Sequence, residues 1–88
     1  MTDNRIKTIA DANGMEIILN KLTEECGELV TAIAKYNTSP VLICYRNMFE
    51  EAVDTEIMIE QLKLQYPRMF EELKEAKINR QLERMAQK

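Results

Sequence analysis

Residues 15–36 read MEIILNKLTEECGELVTAIAKY, and this stretch decides the fold. Ile18, Leu22, Leu29, Ile33 and Tyr36 recur at helical spacing and share one face, which predicts a helix over 15–36. At about 100° per residue, Glu25 points into that apolar stripe, Glu28 lies at its edge and Glu24 points further out. Charged side chains facing a core are costly unless something compensates them. The stretch therefore raises a chemical question as well as predicting an element.

The neighbouring segments extend the helical reading in both directions. Asn13-Gly14 is a turn signal that sets residues 1–13 apart as a short N-terminal segment with one helical turn or a short helix around Ile6, Ile9 and Ala10. Asn37-Thr38-Ser39-Pro40 ends the first long helix, with Ser39 and Pro40 suited to be N-cap and N1 of the next. A second helix is predicted over 41–65. Leu42, Phe49, Val53, Ile57 and Leu64 line one face of it, and Cys44, Met48, Met58, Ile59 and Leu62 cover much of the rest. A helix apolar on most sides is buried on most sides. A chain of 88 residues is too small to cover it alone, so a homo-oligomer with this helix at its interface is expected. Tyr66-Pro67 breaks the run, and Pro67 opens a third helix over 67–86. Two Gly and two Pro in the whole chain agree with few turns and long helices. The expectation is a single all-α domain over 1–88, with three main helices per chain forming an oligomeric helix bundle.

Composition narrows the chemistry. The net charge is −3, from 12 basic and 15 acidic residues, which argues against a nucleic acid polymer as partner. The charge is uneven: Lys77, Arg80, Arg84 and Lys88 against Glu83 make residues 77–88 net +3 and leave −6 on residues 1–76. On the third helix Phe70, Leu73, Lys77, Arg80 and Arg84 share a face that begins apolar and turns basic. No apolar run is long enough to cross a membrane, and no signal peptide is visible. Cys26 and Cys44 lie among apolar residues and read as buried thiols of a cytoplasmic protein. The chain has no histidine, which removes Ser/His and Cys/His catalysis and His-ligated zinc. Any metal site must use oxygen ligands, which favours Mg²⁺, with Mn²⁺ as the alternative.

Glu25 and Glu28 are three apart, and so are Glu51 and Asp54, so each pair is adjacent on its helix. In an antiparallel hairpin over the 37–40 turn, a rise of about 1.5 Å per residue puts Glu25 roughly 16 Å and Glu28 roughly 12 Å below the turn. The same rise puts Glu51 roughly 15 Å and Asp54 roughly 20 Å below it. The pairs are level within about one helical turn, so four carboxylates can converge on one divalent cation. Such a cation can hold a polyphosphate and lower the pKa of a water nucleophile. The plainer alternative is that both pairs belong to solvated helix faces.

Glu24-Glu25-Cys26-Gly27-Glu28, then 22 residues, then Glu51-Ala52-Val53-Asp54, with KLTEECGELVTAI as lead-in, resembles the MazG-like, all-α nucleoside triphosphate pyrophosphohydrolases. The resemblance spans roughly residues 14 to 85. It implies Mg²⁺-dependent hydrolysis of a (d)NTP to the monophosphate and pyrophosphate, in a homodimer or homotetramer. It further implies Glu25, Glu28, Glu51 and Asp54 as metal ligands, and Glu24 as an outer carboxylate that places the water, with Glu24 and Glu25 as the catalytic pair. Lys77, Arg80 and Arg84 would contact substrate phosphates. Tyr36, Tyr45 and Phe49 are the aromatics available to stack on a base, although aromatics at helical spacing are more often core. Two other readings stand beside this one: a phosphoribosyl-ATP pyrophosphohydrolase-like enzyme, and a non-catalytic acidic helical module that binds a partner protein.

Overall fold

The computed structural model describes residues 3–87, so Met1, Thr2 and Lys88 of the expected 1–88 domain lie outside the described residues. Among the described residues the chain is all-α, with α1 (Asn4–Thr38), α2 (Leu42–Lys63) and α3 (Pro67–Ala86) and no strand. No helix among them is long and apolar enough to cross a membrane.

α1 is two helical arms joined at Gly14. The first arm starts from Asp3, whose side chain accepts from the Arg5 backbone N–H at 2.9 Å. Gly14 then takes φ 74° and ψ 165°, a conformation open essentially to glycine alone, and the chain turns sharply before the second arm. The bend brings Ala10 onto the hairpin that follows. Ala10, Ile18 and Met58 are buried together, with Leu22, Leu62 and Leu64 packed around them. Asn13 donates its side-chain N–H to Gln61 Oε1 at 2.9 Å across this junction. Gln61 is 1% exposed, and the bond satisfies an amide that would otherwise be stranded in the core.

α1 and α2 run antiparallel. Tyr36 sits beside Tyr45 (ring centroids 5.4 Å), Glu25 beside Thr55, and Asn13 beside Gln61. The turn differs in detail from the expectation. Ser39 is the C-cap of α1, its N–H bonded to the Lys35 carbonyl at 2.8 Å, and Val41 is the N-cap of α2. Pro40 therefore lies between the helices. Proline disfavours helical geometry in the residue before it, and Ser39 is accordingly extended at φ −135°, ψ 84°. α2 ends at Lys63, two residues earlier than the periodicity predicts, because the Gln65 and Tyr66 amides turn back to Leu62 and Lys63.

The orientation of α2 departs most from the sequence pattern. Its buried residues are Thr55, Met58 and Gln61. The stripe of Leu42, Phe49, Val53 and Ile57 faces outward, with Leu42 81% exposed. α3 carries no buried residue at all. Lys63 links it to α2, pairing with Glu71 and lying 5.6 Å from the Phe70 ring centroid. Both thiols are unpaired, but their burial differs from the expectation: Cys26 is exposed and Cys44 half-buried.

The chain's two glycines separate backbone conformation from packing, since nothing lies within 4 Å of where a Cβ would sit at either. Gly14→Ala is expected to destabilise the fold by about 1–3 kcal/mol through its backbone conformation alone. Gly27→Ala, in mid-helix, is expected to stabilise it by about 0.5–1 kcal/mol. Urea unfolding of the two variants measures both, and equal shifts would contradict the bend at Gly14.

Candidate metal centre

α1 contributes Glu25 and Glu28 to one spot, and α2 contributes Glu51. One carboxylate oxygen from each lies within 4.8 Å of the other two. Glu25 and Glu51 are half-buried and Glu28 is exposed, so the cluster sits at the rim of the helix–helix interface. The Oε2 atoms of Glu25 and Glu51 are both buried and without a hydrogen-bond partner.

The register that makes this meeting is held by Thr55. Its hydroxyl is within hydrogen-bonding reach of the Glu51 carbonyl at 2.9 Å and the Glu25 carbonyl at 3.3 Å. One buried hydroxyl thus bridges the backbones of two of the three glutamates. Asn47 and Thr55 sit four residues either side of Glu51, a spacing that puts all three on one side of α2.

Burial raises the pKa of Glu25 above the ordinary carboxylate value, and the charges of Glu28, Asp54 and Glu24 raise it further. Glu51 is raised by burial first, then by Glu28, and then by the charges of Asp54 and Glu25. Both shifts have the same origin: negative charge is crowded into a place where water is partly excluded. The donor set is all oxygen and anionic, so the residues that could hold a cation here suit a hard one.

The other sequence-predicted residues fall in three places. Glu24 lines an open groove of about 520 Å³ with Glu28, Glu51, Lys35 and Asn47. Asp54 stands outside the close cluster, on an adjoining groove with Phe49 and Arg46, although its charge reaches Glu25 and Glu51. Lys77 lines a separate cleft between α2 and α3, and Arg80 and Arg84 line none of these grooves. None of Lys77, Arg80 and Arg84 lines the two grooves that hold Glu24, Glu28, Glu51 and Asp54. Lys35 shares the glutamate groove; it lies seven residues, two turns, beyond Glu28 on the same face of α1, so helical spacing could have found it, and sequence reasoning missed it by looking for phosphate-binding cations on the third helix alone. Tyr45 stacks edge-on against Phe49 at 4.9 Å, which leaves Phe49 half-exposed beside Asp54.

No family model matches the chain, and neither a curated protein nor a solved structure matches it.

The crowding has a pH signature. The ordinary pKa of both groups is 4.5, and the folded chain raises it. The native state then binds these protons more tightly than the unfolded state does. The penalty is absent below about pH 4.5, and it grows as pH rises through the folded values. Without divalent cations, Glu51→Gln should melt close to the native chain at about pH 4 and clearly above it at about pH 7. A melting difference that does not change across that range would contradict the crowding.

Proposed function

We propose that the chain is a divalent-cation-dependent nucleoside triphosphate pyrophosphohydrolase of the MazG-like kind, converting a (d)NTP to (d)NMP and pyrophosphate. The observation that carries the reading is the pair of orphaned, buried carboxylate oxygens on Glu25 and Glu51, in a cluster that also brings a Glu28 oxygen within 4.8 Å. Solvated surface glutamates do not need to be held this way, and unpartnered buried acceptors cost stability. A ligand set kept for a cation gives that cost a purpose.

In this reading Glu25, Glu28 and Glu51 hold Mg²⁺ or Mn²⁺, with Asp54 completing the set from its adjoining groove. The cation, when bound, offsets polyphosphate charge and acidifies a water. Glu24 lies at the open side of the same groove, where it can orient that water or take its proton. Water adds across the bond between the α- and β-phosphates, so oxygen joins phosphorus and pyrophosphate leaves. Lys35 lies on the groove wall, placed to meet a phosphate oxygen. The half-exposed Phe49, with Tyr45 behind it, offers a face for the base. Lys77 faces the α2–α3 cleft, so in the homodimer or homotetramer that accompanies this reading, phosphate contact falls to Arg80 and Arg84 of a second copy. The two unpaired thiols suit a cytoplasmic setting.

The unpartnered face of α3 favours a second reading, an acidic helical interaction module without catalysis. A product assay separates the two. The purified chain is incubated with Mg²⁺ and a panel of ribo- and deoxyribonucleoside triphosphates plus phosphoribosyl-ATP, and products are resolved by ion exchange. Monophosphate and pyrophosphate are expected, with Glu28→Gln and Glu51→Gln each lowering the rate at least about 100-fold, as loss of a metal ligand should. Diphosphate plus phosphate as the main products would overturn the reaction. Hydrolysis of phosphoribosyl-ATP alone would reassign the substrate. No turnover, with no rise in melting temperature on adding Mg²⁺ or Mn²⁺, would select the module.

A further inference from the structure

The chain exposes 7225 Å² of accessible surface. A folded monomer of 10.3 kDa is expected to expose roughly 5,350 Å². The excess, about 1,900 Å² per chain, is more than twice the roughly 800 Å² that each partner gives to an ordinary stable interface. Its radius of gyration, 15.8 Å, also exceeds the roughly 12 Å of a closed domain of this length.

Part of that open surface lies between α2 and α3, where Ile59, Leu73 and Ile78 are exposed. The cleft between them measures about 780 Å³ and has an apolar floor that includes Ile59, Leu73 and Ile78. Two turns of α-helix, a cylinder about 10 Å across and 11 Å long, fill about 850 Å³. The charges on the rim are segregated. Glu56 and Glu60 lie on the α2 wall and Lys74 and Lys77 on the α3 wall, while Lys63, also on the α2 wall, is already paired with Glu71. Among the described residues none of Glu56, Glu60, Lys74 and Lys77 makes an ion pair. A helix that is apolar on one side and basic beside that stripe fits this space and answers Glu56 and Glu60. α3 itself has this form: Leu73 and Ile78 lie on it with Lys74 and Lys77.

We infer that two copies of this chain pair through a two-fold interface in which α3 of each enters the α2–α3 cleft of the other, setting Glu56 and Glu60 against Lys74 and Lys77 of the second copy. The two α3 helices then lie side by side between the two α2 helices. This names the surface for the homo-oligomer proposed above and rests on that reading, independently of the catalysis.

The test uses two charge-reversed proteins, Glu56→Lys/Glu60→Lys and Lys74→Glu/Lys77→Glu, followed by sedimentation velocity at low salt. The native chain should sediment as a dimer, twice 10.3 kDa or about 20.6 kDa. Each reversed protein alone places like charges across the interface and should dimerise at least tenfold more weakly. Mixed in equal amounts, the two have complementary charges at both halves of the interface, and the heterodimer should return. Within each single chain the α2 and α3 walls stay like-charged, so recovery on mixing is an intermolecular effect only. A dimeric native chain whose variants dimerise unchanged overturns this surface but leaves the oligomer. A monomeric native chain at tens of micromolar overturns both. Failure to recover on mixing, with each variant helical by circular dichroism, overturns the charge pairing. The native chain gives a second measurement that needs no variant: its urea midpoint should rise with protein concentration, and a midpoint independent of concentration overturns the pairing.

Discussion

The hydroxyl of Thr55 lies between two backbone carbonyls, one in its own helix and one in the helix opposite. That contact, with the Ile18–Met58 packing below it, sets how far α1 and α2 slide past each other. A shift of one helical turn is about 5.4 Å, more than the spacing of the whole carboxylate cluster. Everything proposed for the glutamates depends on this register. The Asn13–Gln61 amide bond holds the far end of the same hairpin and ties it to the bend at Gly14.

The core that supports this arrangement is small. Among the described residues, Ala10, Ile18, Ala32 and Met58 are the buried apolar ones, and Thr55 and Gln61 are buried beside them. A domain this short buries little of its unfolded surface even when it closes well. This one leaves α3 and the outer stripe of α2 open. Hydrophobic stabilisation scales with area removed from water, so the stabilisation missing from the single chain is available to an assembly. The long helices suit that role, because their backbone hydrogen bonds are internal and their outer faces can meet a partner without rearrangement.

The carboxylate cluster works against stability in the isolated chain. Burial and mutual repulsion raise the proton affinity of Glu25 and Glu51 and leave an oxygen of each unanswered. Elsewhere the chain handles charge conventionally, with exposed pairs such as Lys7–Asp11 and Arg46–Glu50 one turn apart. Pairs of that kind add little to stability. The contrast separates the glutamate cluster from ordinary surface acids on physical grounds: the same residue types are used, but without partners and at a helix–helix seam.

The sequence alone determined the helical class, the break at Asn13-Gly14, the turn near Pro40, the helix start at Pro67 and the level placement of Glu25, Glu28 and Glu51. Helical periodicity, turn residues and the fixed rise per residue are local properties, so a single chain read in order is enough to find them. Other features needed the tertiary structure. The face that α2 turns inward could not be chosen from its pattern, because apolar residues occur nearly all round it. Packing against α1 selected Thr55, Met58 and Gln61 over the more conspicuous Leu42–Phe49–Val53 stripe. Ser39 became a C-cap because its amide was needed to close α1. Asp54 stands beside the cluster, Lys35 shares the groove of Glu28, and Lys77 faces a different cleft. The places of Asp54 and Lys77, and the inward face of α2, depend on the rotation of one helix about its axis relative to another. Contacts between distant residues set that rotation, and a sequence pattern symmetric around the helix leaves it open.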